Sequence, residues 1–185
     1  MDVKTAINER RAYRSLEPFE VTEDLIKDLA YHASLAPSCT NSQPWRYVFV
    51  YEKDALSSVF EALPKGNQWV RNAGMVVVVF TSKELACNMR NGIYAYYDTC
   101  LSNAFLILRA TELGLVAHPI AGFDEEVVKK AVNIKENFEV IALIVVAKHA
   151  KEISPLLSEK PAIGCATSPN SVALSIRKAF DKPVS

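Results

Sequence analysis

The chain has 185 residues, of which 50% are hydrophobic and 23% charged, and its 21 basic and 21 acidic side chains leave a formal net charge of zero. This length suits one domain that buries its own core, and the composition argues against a disordered chain. Zero net charge excludes a general attraction for nucleic acid or anionic membranes, although a local basic cluster could still bind one phosphate.

No apolar run approaches the roughly 20 residues that cross a bilayer, and the N-terminal segment has no apolar signal core. We therefore predict a cytoplasmic protein. The cysteines are Cys39, Cys87, Cys100 and Cys165. Their scattered positions lack the paired spacing of a zinc site, so we predict no metal centre. In the cytoplasm we expect all of these thiols to be reduced.

Apolar periodicity and cap residues define the elements of the first half of the chain. They predict a helix over 3–10, a connection over 16–21, a helix over 23–36, a polar loop over 38–44 and a strand over 46–51. Thr22 is a suitable N-cap for the second helix, and acidic residues follow it in the first turn. Pro37 ends that helix, because proline cannot continue the hydrogen-bond ladder.

The second half shows two strands that are apolar on both faces. The pattern predicts a helix over 54–63, a turn over 64–67, a strand over 75–80, a helix over 94–113, a helix up to about 132 and a strand over 140–147. Gly114 stands where a helix C-terminal glycine belongs, and Asp124 is a suitable N-cap. After residue 148 periodicity returns only over 172–180. Helices interleaved with buried strands indicate an α/β or α+β fold.

A basic cluster, Arg10, Arg11 and Arg14, follows the first helix. If that helix continued, Arg10 and Arg14 would share one face, and their repulsion would be relieved by an anion. Guanidinium groups pair bidentately with phosphate, so a phosphorylated cofactor would suit the cluster. The alternative is a solvated basic turn that Glu9 and Glu17 balance.

Two further segments could contact a ligand. The polar loop Ala36-Pro37-Ser38-Cys39-Thr40-Asn41-Ser42-Gln43-Pro44-Trp45 offers donors and acceptors that could read a heteroaromatic ring, or it is a rigid connector. The segment His118-Pro119-Ile120-Ala121-Gly122-Phe123-Asp124 could present backbone N–H groups to a ligand, or it is a simple strand-to-helix turn that Asp124 caps.

Several other activities lack their motifs. The chain has no G-x-G-x-x-G, no G-x-x-x-x-G-K-[ST] and no G-x-S-x-G. No histidine or acid stands at a recognisable companion position for a nucleophilic Cys39. We interpret His118 and Tyr97 as packing or lining residues.

The segments INERRAYRSLEPF, LAPSCTNSQPWRYVFV and ATELGLVAHPIAGFD, all within about residues 3–148, together resemble the nitroreductase family of flavoprotein oxidoreductases. The resemblance implies an α+β fold whose central, mostly antiparallel sheet is flanked by helices. It also implies an obligate homodimer with one FMN at each end of the interface. Residues 1–150 would form the FMN-binding domain, and by analogy the tail over 151–185 would wrap the partner subunit.

The resemblance also implies roles for individual residues. The FMN phosphate and ribityl chain would be held by Arg10, Arg11 and Ala12, with Arg14 near the N1–C2=O side of the ring. Pro37, Ser38, Cys39, Asn41 and Gln43 would come from the other chain and line the ring. The backbone at Pro119, Ile120, Ala121 and Gly122 would meet the N5–O4 edge.

This chain departs from the family pattern at several positions. Ala12 replaces a serine that is common in relatives, and Ala121 replaces an acidic residue found in some. Candidates for the missing pyrimidine contact are Asn67, Arg71 and Asn72, and candidates for a late phosphate contact are Lys160 and Arg177. The segment before the helix over 94–113 is short, so we expect a reduced lid and an open site.

The resemblance implies an enzyme that transfers hydride from NAD(P)H through flavin N5 to a small planar acceptor, nitroaromatic or quinone-like, in a ping-pong cycle. An FMN storage or redox-sensing protein with little turnover is the alternative from another class. Reductive dehalogenation or flavin fragmentation would need a long lid insertion, which the chain lacks.

Overall fold

The computed structural model describes residues 1–152 and residue 154. Its helices are α1 (Val3–Glu9), α2 (Glu23–Ser34), α3 (Lys53–Phe60), α4 (Tyr94–Glu112) and α5 (Glu125–Ala131). Its strands are β1 (Leu16–Glu17), β2 (Arg46–Val50), β3 (Met75–Thr81), β4 (Val116–Ile120) and β5 (Glu139–His149). The periodic segment over 172–180, Lys160 and Arg177 lie outside the described residues, as does nearly all of the predicted tail.

All of these strands pair antiparallel in one sheet. The long strand β5 pairs with β3 on one side and with β4 on the other, and its last residues pair with β1. Strand β2 pairs with β3 and forms the far edge. The predicted α+β fold, with a mostly antiparallel sheet flanked by helices, is confirmed.

Alternate side chains of the central strands enter two cores, because successive residues of a strand point to opposite faces. Val76 and Val78 pack with α3, α5 and the segment around Trp69. Val77 and Val79 pack against α2 and α4 on the other face. These two buried faces explain why β3 and β5 read as continuous apolar runs. Within the described residues, no helix is both long and apolar enough to cross a membrane.

The predicted helix caps are present. Thr22 Oγ1 accepts a hydrogen bond from Leu25 N at 3.2 Å, and Asp124 Oδ1 accepts one from Val127 N at 3.2 Å. Each bond satisfies a backbone donor that the first turn leaves free. Gly114 ends α4 with φ 76°, a left-handed conformation that glycine adopts without steric cost.

Three predicted elements were wrong in type or extent. The connection over 16–21 contains β1, and the segment read as a loop at His118 and Pro119 belongs to β4. Both strands form because they pair with β5, a tertiary partner that no local pattern reveals. Pro119 is tolerated because β4 is an edge strand that leaves one side free of ladder bonds. The turn over 64–67 is the start of a longer 3₁₀ segment, Lys65–Asn72.

The expectation that all thiols are reduced was also wrong, because Cys39 and Cys87 form a disulfide with Cα atoms 5.8 Å apart. Arg46 of β2 pairs with Phe80 of β3. Cys39 precedes Arg46 by as many residues as Cys87 follows Phe80. Strand pairing thus brings them together. Cys100 is free and exposed, and Cys165 lies outside the described residues.

Candidate functional site

The basic cluster follows α1 in irregular backbone and not in a continuation of the helix. Helix α1 ends at Glu9 and Arg10 is its C-cap, so Arg10 and Arg14 do not form the helical i,i+4 pair that a longer helix would give. The Arg11 guanidinium donates to the carbonyls of Asn8 at 2.5 Å and Arg10 at 2.8 Å. Arg11 thus satisfies carbonyls that the helix end leaves free.

Arg10 and Arg14 are half-buried, and neither forms an ion pair within residues 1–152. The alternative of a basic turn balanced by Glu9 and Glu17 therefore finds no support in the described contacts. Two partly desolvated cations without a carboxylate partner form a local positive site in a neutral molecule. Such a site favours an anion.

Arg14 rests on an aromatic stack. Its guanidinium carbon lies 5.5 Å from the centroid of the Trp69 ring, and Trp69 stacks on His118 with centroids 4.7 Å apart. A guanidinium over an indole face is attracted by the ring quadrupole. Trp69 is 1% exposed, and its Nε1 has no hydrogen-bond partner among the described residues. The stack gives Arg14 a fixed platform.

His118 is held neutral at the base of this stack. Its Nδ1 lies 3.0 Å from the carbonyl oxygen of Tyr13, and because a carbonyl only accepts, Nδ1 carries the hydrogen. Burial lowers the pKa of His118, and the nearby charges of Arg14 and Arg10 lower it further against the opposing effect of the Tyr13 carbonyl. The interpretation of His118 as a packing residue agrees with this position.

The turn between β4 and α5 lies next to the 3₁₀ segment that carries Trp69. Asn67 Nδ2 donates to the carbonyl oxygen of Gly122 at 2.7 Å, and a Cβ on Gly122 would lie 2.9 Å from the same nitrogen. Only glycine permits this approach without displacing the amide. Among the candidates for a pyrimidine contact, Asn67 is therefore the one that reaches this turn, while Arg71 bonds Gln68.

Asn72, the remaining candidate, donates to Ser154 at 3.3 Å. Pro119 is exposed at the edge of β4, Ile120 is buried, and Ala121 and Gly122 are exposed beyond the strand end. Ala12 is half-buried beside the arginines. Trp69 contacts Arg14 and His118, and Asn67 bonds Gly122, so one chain brings together the basic cluster and the predicted 119–122 segment.

The polar loop is held in an uncommon backbone conformation. Thr40, Asn41 and Gln43 all have positive φ, at 52°, 58° and 46°. Such residues persist only where surrounding contacts hold them. Ser38 supplies one of these contacts, because its Oγ accepts a hydrogen bond from Gln43 N at 3.0 Å. Pro37 and Asn41 are exposed at the loop surface.

A second contact comes from α4. Cys39 N donates to Asp98 Oδ2 at 3.0 Å, and Asp98 is 1% exposed. A nearly fully buried carboxyl oxygen needs a hydrogen-bond partner, and the backbone N–H of Cys39 supplies it. Asp98 therefore anchors the loop to the helix layer.

The polar loop and the basic cluster do not meet within one chain. The loop leads into β2 at one edge of the sheet. The 119–122 segment begins in β4 and continues past its end, and β4 lies beyond β3 and β5. Three strand spacings separate these edges by roughly 14 Å. No hydrogen bond, ion pair or ring contact between residues 1–152 joins the two groups.

Three residues of the site were absent from the sequence predictions: Trp69, Asp98 and Cys87. Trp69 carried a usable signal, since a tryptophan in a segment rich in polar residues needs burial and a partner. Asp98 is an acid on the buried face of an otherwise apolar helix pattern, which also calls for a partner. Cys87 could be paired only with knowledge of the strand register.

Known proteins share both this sequence pattern and this fold. The model of the nitroreductase family matches residues 7–148. A protein of Rhodopseudomonas palustris, described as an NADH dehydrogenase or NAD(P)H nitroreductase, is 33% identical over 56% of this chain and 63% of its own length. An NAD(P)H nitroreductase of Bacillus subtilis, MhqN, is 27% identical over 79% of this chain and 88% of its own length.

Solved structures share the fold of this chain. A nitroreductase family protein from Clostridium novyi NT superposes with a TM-score of 0.74 at 24% identity, covering 82% of this chain and 87% of its own. A nitroreductase from Exiguobacterium sibiricum, solved in complex with FMN, gives a TM-score of 0.74 at 18% identity over 84% and 91% of the two chains. Because the family model covers most of the chain, this protein belongs to the nitroreductase family of oxidoreductases.

Proposed function

We propose that this protein is an FMN-dependent NAD(P)H oxidoreductase that reduces a small planar acceptor, nitroaromatic or quinone-like, by transferring hydride in two half-reactions. Family membership and the names of the relatives support the reaction type and the donor. Bound FMN would supply the two-electron carrier between NAD(P)H and the acceptor. We also propose that it works in the cytoplasm.

The observation that carries the proposal is the half-buried pair Arg10 and Arg14, which has no carboxylate partner among the described residues. A phosphorylated flavin suits this donor set, because guanidinium groups bind phosphate with charge-assisted hydrogen bonds. Arg10 and Arg11, with the backbone of Ala12, would hold the phosphate and ribityl chain. The exposed turn at Ala121 and Gly122 would offer backbone N–H groups to the ring edge.

Arg14 has a separate proposed role. Because Trp69 supports its guanidinium from below, Arg14 can present a fixed cation to a planar ligand without a large loss of side-chain entropy. It would stabilise negative charge on the pyrimidine side of the flavin ring. A preorganised charge in a partly desolvated site favours the reduced ring.

We propose a homodimer in which Pro37, Ser38, Cys39, Asn41 and Gln43 of one chain line the flavin held by the other. Two observations support this arrangement: the loop and the basic cluster lie apart within one chain, and three helices leave large apolar side chains exposed. We also propose, from the family resemblance, that residues 1–150 form the FMN-binding domain. The tail over 151–185, which by analogy would wrap the partner, lies almost wholly outside the described residues.

Replacing Arg14 tests the proposed cofactor site. Arg14→Ala should weaken FMN binding roughly ten- to hundredfold, because a hydrogen bond to a charged group contributes about 1.5–3 kcal/mol. Lys27→Ala is the matched control, since it removes one positive charge from an exposed pair on α2. The measurement is the quenching of FMN fluorescence on titration with protein. Equal FMN affinity in both variants would contradict the role of Arg14.

A further inference from the structure

The Cys39–Cys87 disulfide joins the two loops that flank the start of α4. Cys39 lies in the polar loop proposed to line the flavin, and Cys87 precedes the 3₁₀ turn Arg90–Gly92, which leads directly into α4. The chain between the two cysteines contains β2, α3 and β3. Cys87 is 7% exposed and Cys39 is half-buried.

Both loops contain residues in the left-handed region. Thr40, Asn41 and Gln43 have positive φ on one side of the disulfide, and Arg90 and Asn91 on the other. Left-handed backbone is unfavourable for residues that carry a Cβ, so each loop depends on its anchors. Such conformations cluster at ligand-binding and switching segments.

A small set of contacts fixes the polar loop to the rest of the protein, and one of them is the buried hydrogen bond from Thr81 Oγ1 to the Pro44 carbonyl oxygen at 2.8 Å. Cys39 contributes two of them, the disulfide and the hydrogen bond from its N–H to Asp98. The bond from Gln43 N to Ser38 Oγ lies within the loop and does not fix it to the rest of the protein. Gln43 Nε2 reaches the carbonyl oxygen of Ser34 at 3.4 Å, which is long for a strong hydrogen bond. Breaking the disulfide would therefore remove the covalent link between the loop and the segment before α4.

We propose that Cys39 and Cys87 form a reversible redox site, and that the disulfide holds the polar loop in the conformation that binds FMN. This inference rests on the proposed function. In a reducing compartment, where we propose that the protein works, disulfides of cytosolic proteins are usually transient or redox-sensing rather than structural.

The reductant that the site requires is a dithiol. A thiolate of the dithiol attacks Cys39 Sγ, the S–S bond breaks, and Cys87 leaves as a thiolate that takes up a proton. The mixed disulfide joins one sulfur of the dithiol to Cys39 Sγ. The second thiolate of the dithiol attacks that dithiol sulfur and releases the Cys39 thiolate, which is also protonated. Two electrons pass to the protein, and the dithiol leaves as a disulfide. Attack at Cys39 is favoured because Cys39 is the more exposed partner.

The redox state of the disulfide and the affinity for FMN would affect each other by the same factor, because binding equilibria are thermodynamically linked. If FMN binds the disulfide form more tightly than the dithiol form, FMN stabilises the disulfide by the same factor. For this two-electron couple, a tenfold preference lowers the reduction potential of the disulfide by about 30 mV.

FMN affinity can be measured by fluorescence titration in three samples: oxidised protein, protein reduced anaerobically with dithiothreitol, and Cys87→Ser without reductant. Counting free thiols establishes the state of each sample. Cys100→Ser is the matched control, because it removes an exposed free thiol and leaves the disulfide intact. Amide hydrogen exchange over 38–43 reports the loop itself in the absence of FMN.

We expect reduced protein and Cys87→Ser to bind FMN about tenfold more weakly than oxidised protein, within the usual range of coupling between sites. Reoxidation should restore affinity, and exchange over 38–43 should be faster after reduction. Oxidised Cys100→Ser should match the oxidised parent. A loss smaller than about threefold on reduction overturns the redox site and leaves the proposed function standing. Failure of every form to bind FMN overturns the proposed function, and the redox site with it.

Discussion

At the scale of single residues, the site is built on the stack of Arg14, Trp69 and His118. Trp69 is fully buried and His118 fixes the backbone at Tyr13, one residue before Arg14. Packing beneath the guanidinium therefore sets its position, and no carboxylate within the described part of the chain pairs with it. This leaves the charge of Arg14 free for a ligand.

His118 should make stability depend on pH. Because its pKa in the folded protein lies below the ordinary value of 6.5, the unfolded chain binds the proton more readily. The contribution of neutral His118 is complete above about pH 6.5 and is lost as the pH falls from 6.5 through its lowered pKa. Acidification within that window should therefore destabilise the protein.

His118→Phe keeps a ring against Trp69 and removes the titrating group. Thermal unfolding of the parent and this variant at pH 7.5 and pH 5.5 measures the effect. We expect the variant to be less stable than the parent at pH 7.5, since it loses the bond to Tyr13, and to lose less stability on acidification. If the parent and His118→Phe lost the same stability on acidification, His118 would be ruled out as the source of the pH dependence.

At the scale of elements, α4 has two distinct faces. Its buried polar face holds the neighbouring layer: Ser102 Oγ donates to the Ala33 carbonyl at 2.8 Å, and the Tyr47 hydroxyl donates to Ser102 Oγ at 2.7 Å. Burial raises the pKa of Tyr47, so the phenol remains a donor. The opposite face of α4 exposes Tyr97 at 60% and Phe105 at 40%.

That exposed face is where we expect the partner subunit. Val3, Ile7, Tyr31 and Leu35 add apolar surface on α1 and α2, which pack against α4. Tyr97→Lys would bury a charge in the interface and should shift the dimer towards monomer at micromolar concentration. Tyr51→Lys, at the exposed end of β2, is the matched control.

Sedimentation velocity measures the oligomeric state of each protein. A parent that sediments as a monomer, or a Tyr97→Lys variant as dimeric as Tyr51→Lys, would argue against this interface.

Local signals in the sequence were sufficient for the helices and for the two central strands. Thr22 and Asp124 lie at helix starts because their side chains satisfy N-terminal donors, whatever the tertiary context. Strands β1 and β4 could not be predicted in this way, since β5 supplies their partners. The Cys39–Cys87 link was missed for the same reason, because it depends on the register of β2 against β3.

At the scale of the whole molecule, a net charge of zero conceals a local positive site. The residues proposed to bind FMN are divided between two regions of one chain: the arginines near β4 and the polar loop before β2. Sequence patterns indicate both regions as candidates, because each has its own motif. Their separation became visible only with the sheet order, and it supports a site completed by a second copy.

The most direct test of the central proposal is anaerobic reduction of the purified protein loaded with FMN. On addition of NADH or NADPH, we expect the flavin absorbance near 450 nm to bleach and then to recover when a nitroaromatic or quinone is added. A protein that binds FMN but is bleached by neither nucleotide would contradict the oxidoreductase and favour an FMN-binding protein without turnover.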